Sequence, residues 1–248
     1  MALKLNNYVL SIFCALCTVT GFSQEDEGPK PPKVKDYNND STFNHFARYR
    51  EDVAKAQINA LKNGALLVRL KTNLNTITKL KAAGKIDLAT QIERETYLTN
   101  KVIVRGFTNQ FKFCPVYFFY STYSDSVKHK NTTGIFLDTN LTQNPSIVCA
   151  TSFYLVAEQT DAYSSSLGLL TEEQASKAIE KGTAFKQAAI IVKNRYYIQL
   201  HEPFPYFQKG YKLKLYGEYV KRFNTNLQEF YNKNKGYEAS AEIRQFVY

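Results

Sequence analysis

The pattern of apolar residues is densest at residues 111–121 (FKFCPVYFFYS), near the middle of the chain. Aromatic and β-branched residues occupy both alternating sets of positions there, so neither side of a strand formed by this run would face water. Strands that are apolar on both faces are usually covered on both, as in α/β sheets. Pro115 has no N–H and is expected at the strand entrance or at a bulge. The pattern therefore predicts the central strand of a helix-covered sheet.

Five other runs have the length and residue types of further strands. Residues 65–70 (ALLVRL) form a short apolar run followed by Lys71-Thr72, which favours a first buried strand. Lys193-Asn194 separates the last two runs and predicts a hairpin between them. The runs are 65–70, 134–137, 147–157, 185–192 and 195–200.

Apolar residues spaced alternately by three and four positions predict the helices of the first half. A first helix begins near Ser41 and ends at Asn63-Gly64. Residues 73–109 are also predicted to be helical, with a break at Gly84, which is placed to cap one helix before the next begins.

The second half is predicted to contain a polar loop at residues 159–170, a short helix capped by Thr171, and a long last helix over residues 209–232. The apolar seam of the last helix is expected to pack on the sheet. The seam comprises Leu213, Tyr216, Val220, Phe223, Leu227 and Phe230. Residues 236–248 are predicted to form a C-terminal tail.

Strands and helices in this order predict an α/β or α+β fold. We expect a single layered domain over residues 41–235, with a central mixed sheet of five to six strands flanked by helices and a helical N-terminal part at residues 41–110. A thioredoxin-like arrangement would suit the final hairpin and helix, but the C-x-x-C redox motif of that family is absent.

The N-terminus has the features of a secretory signal peptide. Lys4 precedes an apolar segment at residues 8–19, and small residues precede a cut before Gln24. The segment is shorter than the roughly 20 apolar residues that a transmembrane helix needs. Residues 1–23 are therefore predicted to direct export to the periplasm or cell surface of a bacterium, with no transmembrane segment after cleavage.

Residues 24–40 (QEDEGPKPPKVKDYNND) combine charge, proline and asparagine with almost nothing to bury. This composition predicts a disordered linker that would hold the domain away from whatever lies behind it. The alternative, a ragged new N-terminus without a spacing role, is equally compatible with the sequence.

Cys114 and Cys149 are the only cysteines beyond the predicted signal peptide. In an oxidising compartment they could form a disulfide, which would add roughly 4 kcal/mol of stability in the chain-entropy treatment. Bridging needs Cα atoms within about 7 Å. Because both cysteines fall in predicted strands, two buried free thiols are an equal alternative.

The chain is basic, with 32 Lys and Arg against 22 Asp and Glu and a formal net charge of +10. Such a charge can mark a nucleic-acid, membrane or acidic-polymer partner. Lysine predominates over arginine, however, and arginine would be expected where phosphates are gripped in pairs. We therefore expect no nucleic acid as partner, but an envelope protein, a peptide or a glycan.

Polar side chains follow several predicted strands, and ligands of open parallel sheets gather outside the carboxyl ends of the strands. Ser121, Ser124, Asp125 and Asn140 are the candidate ligand-binding residues, and His201, Asp138 and Glu202 are the candidate catalytic residues. His201 is the best general acid or base, because its ordinary pKa is about 6.5 and Asp138 or Glu202 could orient it. The alternative is a surface histidine before a rigid proline turn.

Motifs for metal, phosphate-loop, dinucleotide and nucleophile-elbow sites are absent, so neither a metal nor a cofactor is predicted. Three stretches, ALLVRLKT, FCPVYFFYS and IQLHEPFPYF, resemble segments of an uncharacterised family of exported bacterial proteins with no assigned function. The resemblance covers much of the chain beyond the predicted signal peptide and assigns no residue a role. We expect a non-catalytic binding or interaction module of the cell envelope. The alternative is an envelope enzyme that uses His201 with Asp138 or Glu202.

Overall fold

A mixed sheet lies at the centre of the computed structural model, which describes residues 40–165, 168–170, 185–210 and 212–247. Six strands lie side by side in the order β3-β2-β1-β4-β6-β7, and β5 pairs with the end of β4. β1 runs parallel to β2 and β4, and the other pairs are antiparallel. The strands are β1 Ala65–Leu70, β2 Val116–Tyr120, β3 Phe136–Leu137, β4 Tyr154–Ser165, β5 Gly168–Leu170, β6 Phe185–Lys193 and β7 Phe207–Lys209. The predicted mixed sheet flanked by helices is confirmed.

The described helices are α1 Asp40–Lys62, α2 Leu74–Ala82, α3 Ile86–Gln110, α4 Ser124–Lys128, α5 Tyr216–Asn234 and α6 Ala241–Val247. Gly84 separates α2 from α3 and has φ +71°, the left-handed conformation that glycine adopts without strain. The predicted signal peptide, residues 24–39 of the predicted linker and the helix predicted at Thr171 lie outside the described residues. No described helix has the length and apolarity that crossing a membrane requires.

The two faces of the sheet are covered differently. On one face, Leu66, Val68 and Leu70 of β1 join a large core with side chains of α1, α3 and α5. On the other face, Ala65 and Leu67 pack in a smaller cluster with residues of α4 and of the segment around β3. Apart from Arg69, β1 is therefore apolar on both sides because both of its sides are covered.

β1 and β4, and not the run at residues 111–121, are the two central strands. β2 covers only Val116–Tyr120 and lies next to the two-residue edge strand β3. The preceding aromatic residues turn away from the ladder to pack on α5: the ring centroids of Phe111 and Phe223 are 5.9 Å apart, and those of Phe113 and Tyr231 are 5.8 Å apart. The first half of the run connects α3 to β2 and fills the core, which is why it is apolar.

The prediction of a loop at residues 159–170 is wrong for those of its residues that the structure describes. β4 continues to Ser165, and β5 occupies Gly168–Leu170. The polar residues of this stretch stay extended because β6 pairs with β4 as far as Ser164↔Phe185. Ladder hydrogen bonds with a neighbour hold a strand whose own composition favours a loop.

The predicted hairpin after β6 also takes another form. Residues 195–200 fold back on the end of β6 through a few backbone hydrogen bonds, such as Leu200 N–H to the Val192 carbonyl oxygen at 3.0 Å, and β7 is the strand that pairs with β6. The Asn194 side chain accepts hydrogen bonds from the backbone N–H groups of Tyr196 and Ile198, both 3.0 Å, which widens the turn.

The last helix begins later than predicted, and its seam is shorter. Leu213 lies in a 3-10 turn before α5 and is 45% exposed, whereas Tyr216, Val220, Phe223 and Leu227 are buried. Tyr216 packs directly against Gly106 of α3, where a Cβ atom would lie 2.8 Å from the tyrosine Cδ1. A glycine at this position allows α3 and α5 to approach closely over the sheet.

Candidate functional site

One carboxylate and two cations from three adjacent strands meet on the sheet face opposite α1, α3 and α5. Arg69 of β1 donates from Nη1 to Glu158 Oε2 at 2.8 Å, and Lys193 of β6 donates from Nζ to Glu158 Oε1 at 2.5 Å. Glu158 lies on β4, between the two donors in the strand order. We call Arg69, Glu158 and Lys193 the charged cluster.

Glu158 is held in its ionised form. Its side chain is only 5% exposed. This burial raises its pKa, but the charges and hydrogen bonds of Lys193 and Arg69 outweigh burial and hold the pKa below the ordinary value of 4.5. A buried carboxylate is tolerated when it is paired and hydrogen-bonded in this way.

Two loops attach to the cluster through Arg69. The Nε of Arg69 donates to Ser124 Oγ at 2.9 Å, and Ser124 Oγ donates in turn to the carbonyl oxygen of Ser121 at 2.6 Å. The guanidinium carbon lies 5.5 Å from the centroid of the Tyr197 ring, within cation–π range. The Tyr197 hydroxyl donates to the carbonyl oxygen of Ser124 at 3.1 Å. The turn after β2 and the loop after β6 are thereby joined above the sheet.

Three of the four predicted ligand-binding residues lie in this region. Ser121 and Ser124 follow the carboxyl end of β2 and are linked to Arg69, as described above. Asp125 occupies the same turn, and its charge contributes, after burial, to the raised pKa of Tyr197. Asn140 lies elsewhere, in the turn after β3, where its backbone N–H donates to Asp138 Oδ1 at 2.8 Å.

The structure does not bring His201 and Asp138 together. Asp138 closes a local turn next to β3, where its Oδ1 also accepts from the N–H of Thr142 at 2.9 Å. His201 follows β6, and β2, β1 and β4 separate that strand from β3, a span of roughly 19 Å at ordinary strand spacing. β6 is antiparallel to β4, and its last residue, Lys193, lies opposite Val156 near the start of β4.

His201 and Glu202 lie at a separate place, near Arg50 in the middle of α1. The pKa of His201 is lowered by burial and by the charge of Arg50, which favours a neutral imidazole. Glu202 lines a cavity of about 590 Å³ between α1 and α5. The remaining lining residues are Arg50, Glu51, Lys55, Pro203, Phe230, Lys233 and Asn234.

Cys114 and Cys149 are both free thiols. Cys114 packs against the helix-covered core, whereas Cys149 packs against the smaller cluster on the opposite face of the sheet. The possible disulfide is therefore not formed, because the sheet lies between the two sulfur atoms. Burial raises the pKa of Cys114 to about 12, which makes its thiol a poor nucleophile at neutral pH.

Sequence reasoning missed Arg69, Glu158, Lys193 and Tyr197. The available signal was a charge inside or directly beside an apolar run: Arg69 is the one charged residue of ALLVRL, Glu158 follows FYLVA, and Lys193 follows AAIIV. A charge on a buried strand needs a partner on a neighbouring strand. The sequence alone does not show which strands are neighbours.

Comparisons with known proteins add no functional assignment: no protein-family model matches the chain, and no curated protein or solved structure is significantly similar to it. Within the described residues, no three His, Cys, Asp or Glu side chains lie together in a way that could hold a metal ion. The charged cluster is therefore judged on its own geometry.

Replacing Glu158 with glutamine should lower the free energy of unfolding by about 3–5 kcal/mol at pH 7, because it leaves two cations together without their carboxylate. The pKa of Glu158 is lowered in the folded state, so its stabilisation is present above about pH 4.5 and is lost as the pH falls through the folded value. The difference between wild type and E158Q, measured by urea unfolding, should shrink below pH 4.5.

Glu93→Gln is the matched control. Glu93 pairs with Lys81 at 2.6 Å, but its side chain is 45% exposed, and such surface pairs contribute only about 0–1 kcal/mol. Equal effects of the two substitutions, or a difference for E158Q that grows on acidification, would contradict the role given to Glu158.

Proposed function

We propose that the chain is an exported, non-catalytic binding module of the bacterial cell envelope, and that it binds an anionic group of its ligand at the charged cluster. The observation that carries the proposal is that Glu158 brings two cations of different strands together near the carboxyl ends of β1 and β2. This is the edge at which ligands of sheets with parallel strands commonly bind.

The charges and donors of the cluster support an anionic ligand. Two cations and one carboxylate give the cluster a net charge of +1, and 26% of the Arg69 side chain and 22% of the Lys193 side chain remain exposed. Guanidinium carries five N–H donors and ammonium three, more than Glu158 and Ser124 use. A carboxylate or phosphate group could accept hydrogen bonds from the remaining donors.

The hydrogen bonds around the cluster favour binding over catalysis. Glu158 is a weak base, because its pKa is lowered and both of its oxygens are engaged by cations. Ser124 Oγ directs its proton to the Ser121 carbonyl oxygen, whereas a nucleophilic serine would direct it to a general base. The side chains are fixed in position and suited to charge recognition.

Calorimetric titration at constant ionic strength with citrate and with inorganic phosphate tests the binding site. Lys193→Met keeps most of the side-chain volume but makes the cluster neutral, so we expect the affinity for the bound anion to fall at least tenfold. Lys221→Met, on the exposed surface of α5, makes the same change in net charge and should leave the affinity unchanged.

The proposal of an anion site fails if both variants bind as wild type does, if both lose affinity equally, or if neither anion binds to wild type. A preference for citrate identifies a carboxylate ligand, and a preference for phosphate identifies a phosphorylated one. Circular dichroism of each variant confirms that the loss of affinity is not a loss of fold.

Export has its own test. If residues 1–23 are a cleaved signal peptide, the protein recovered from the envelope fraction of the native cell should begin at Gln24 when its N-terminus is sequenced. Recovery of the chain from the cytoplasm with its first 23 residues intact would contradict the proposed location.

A further inference from the structure

A second surface, separate from the charged cluster, lies along α2 and the first half of α3. Ala89 is the one buried residue of α3 before Asn100, and Ile77 is the one buried residue of α2. Several large apolar side chains of this region are at least 44% exposed. They are Leu74, Ile86, Leu88, Tyr97 and Leu98. Large exposed apolar patches commonly mark interaction sites.

Leu98 of this surface also lines a groove of about 450 Å³, which lies between the second half of α3 and the turn after β3. Its lining combines an apolar part with two cations and no carboxylate. The lining residues are Leu98, Lys101, Val102, Val104, Arg105, Thr108, Asn109 and Thr139. Lys101 donates to the carbonyl oxygen of Thr139 at 3.2 Å, which joins the two walls of the groove.

We propose that this groove docks an acidic amphipathic helix of a partner protein. A large apolar side chain of the partner would enter between Leu98 and Val102, and its carboxylates would lie over Lys101 and Arg105. These two cations are four residues apart on α3, or about 6 Å along the helix axis. Carboxylates one helical turn apart on the partner match that spacing.

Charge argues for an acidic partner and against a second copy of this chain. The chain carries a formal net charge of +10, so self-association through a groove bordered by Lys101 and Arg105 would bring like charges together. The concave, apolar lining also accommodates an inserted side chain better than the level surface of an anionic membrane. The occupant is therefore assigned to a protein helix.

The test is selection of binders to the folded chain from a displayed library of 16-residue peptides. The affinity of the labelled selected peptides is then measured by fluorescence anisotropy. We expect the selected sequences to carry Asp or Glu four residues apart beside Leu, Ile or Phe. Lys101→Glu with Arg105→Glu should weaken binding at least tenfold. Lys221→Glu with Arg222→Glu, an equal charge change on the exposed face of α5, should leave binding unchanged.

A charge-swapped peptide separates recognition from damage to the fold. A selected peptide whose two acidic residues are replaced by lysine should bind the Lys101→Glu, Arg105→Glu variant better than it binds wild type. The proposal is overturned if no peptide binds in a way that depends on Lys101 and Arg105, or if the selected peptides lack acidic residues. It is also overturned if these two residues instead mediate dimer formation or binding to anionic lipid vesicles.

Discussion

The sheet depends on a single buried carboxylate. Glu158 is the only charged residue that is buried among the described side chains, and its two oxygens bind cations from the strands on either side of β4. Successive residues of a strand point to opposite faces, so a slip of one residue would turn Glu158, Arg69 or Lys193 towards the apolar core under the helices. The ion pairs therefore favour one register for β1, β4 and β6.

The same constraint positions the candidate site. Because Arg69 is fixed by Glu158, its remaining donors can hold Ser124 of one loop while its guanidinium lies over Tyr197 of another. The three long helices α1, α3 and α5 cover the opposite face of the sheet and leave this face to the short helix α4 and to loops. One face of the sheet is thus buried under the long helices. The charged cluster lies on the other face, where loops meet the sheet.

The spacing of apolar residues and of glycine correctly predicted the elements whose form depends on their own residues. These include β1, the break at Gly84 and the buried seam of α5 from Tyr216 onwards. Elements that depend on distant partners were predicted less well. The aromatic run at residues 111–121 has the same composition whether it forms a ladder or fills the core beneath α5. Ser121 and Ser124 were found from the general behaviour of parallel strands, but Lys193 joins them only because β6 pairs with β4.

The central claim is that Arg69 and Lys193 keep Glu158 ionised inside the sheet. Carbon-13 NMR of the Glu158 side-chain carboxyl, assigned by comparison with the Glu158→Gln variant, follows its titration directly in the folded protein. The account predicts a midpoint below 4.5, together with a simultaneous change in the Arg69 Nε–H resonance. A carboxyl that titrates at or above 4.5, with no response from Arg69, would contradict it.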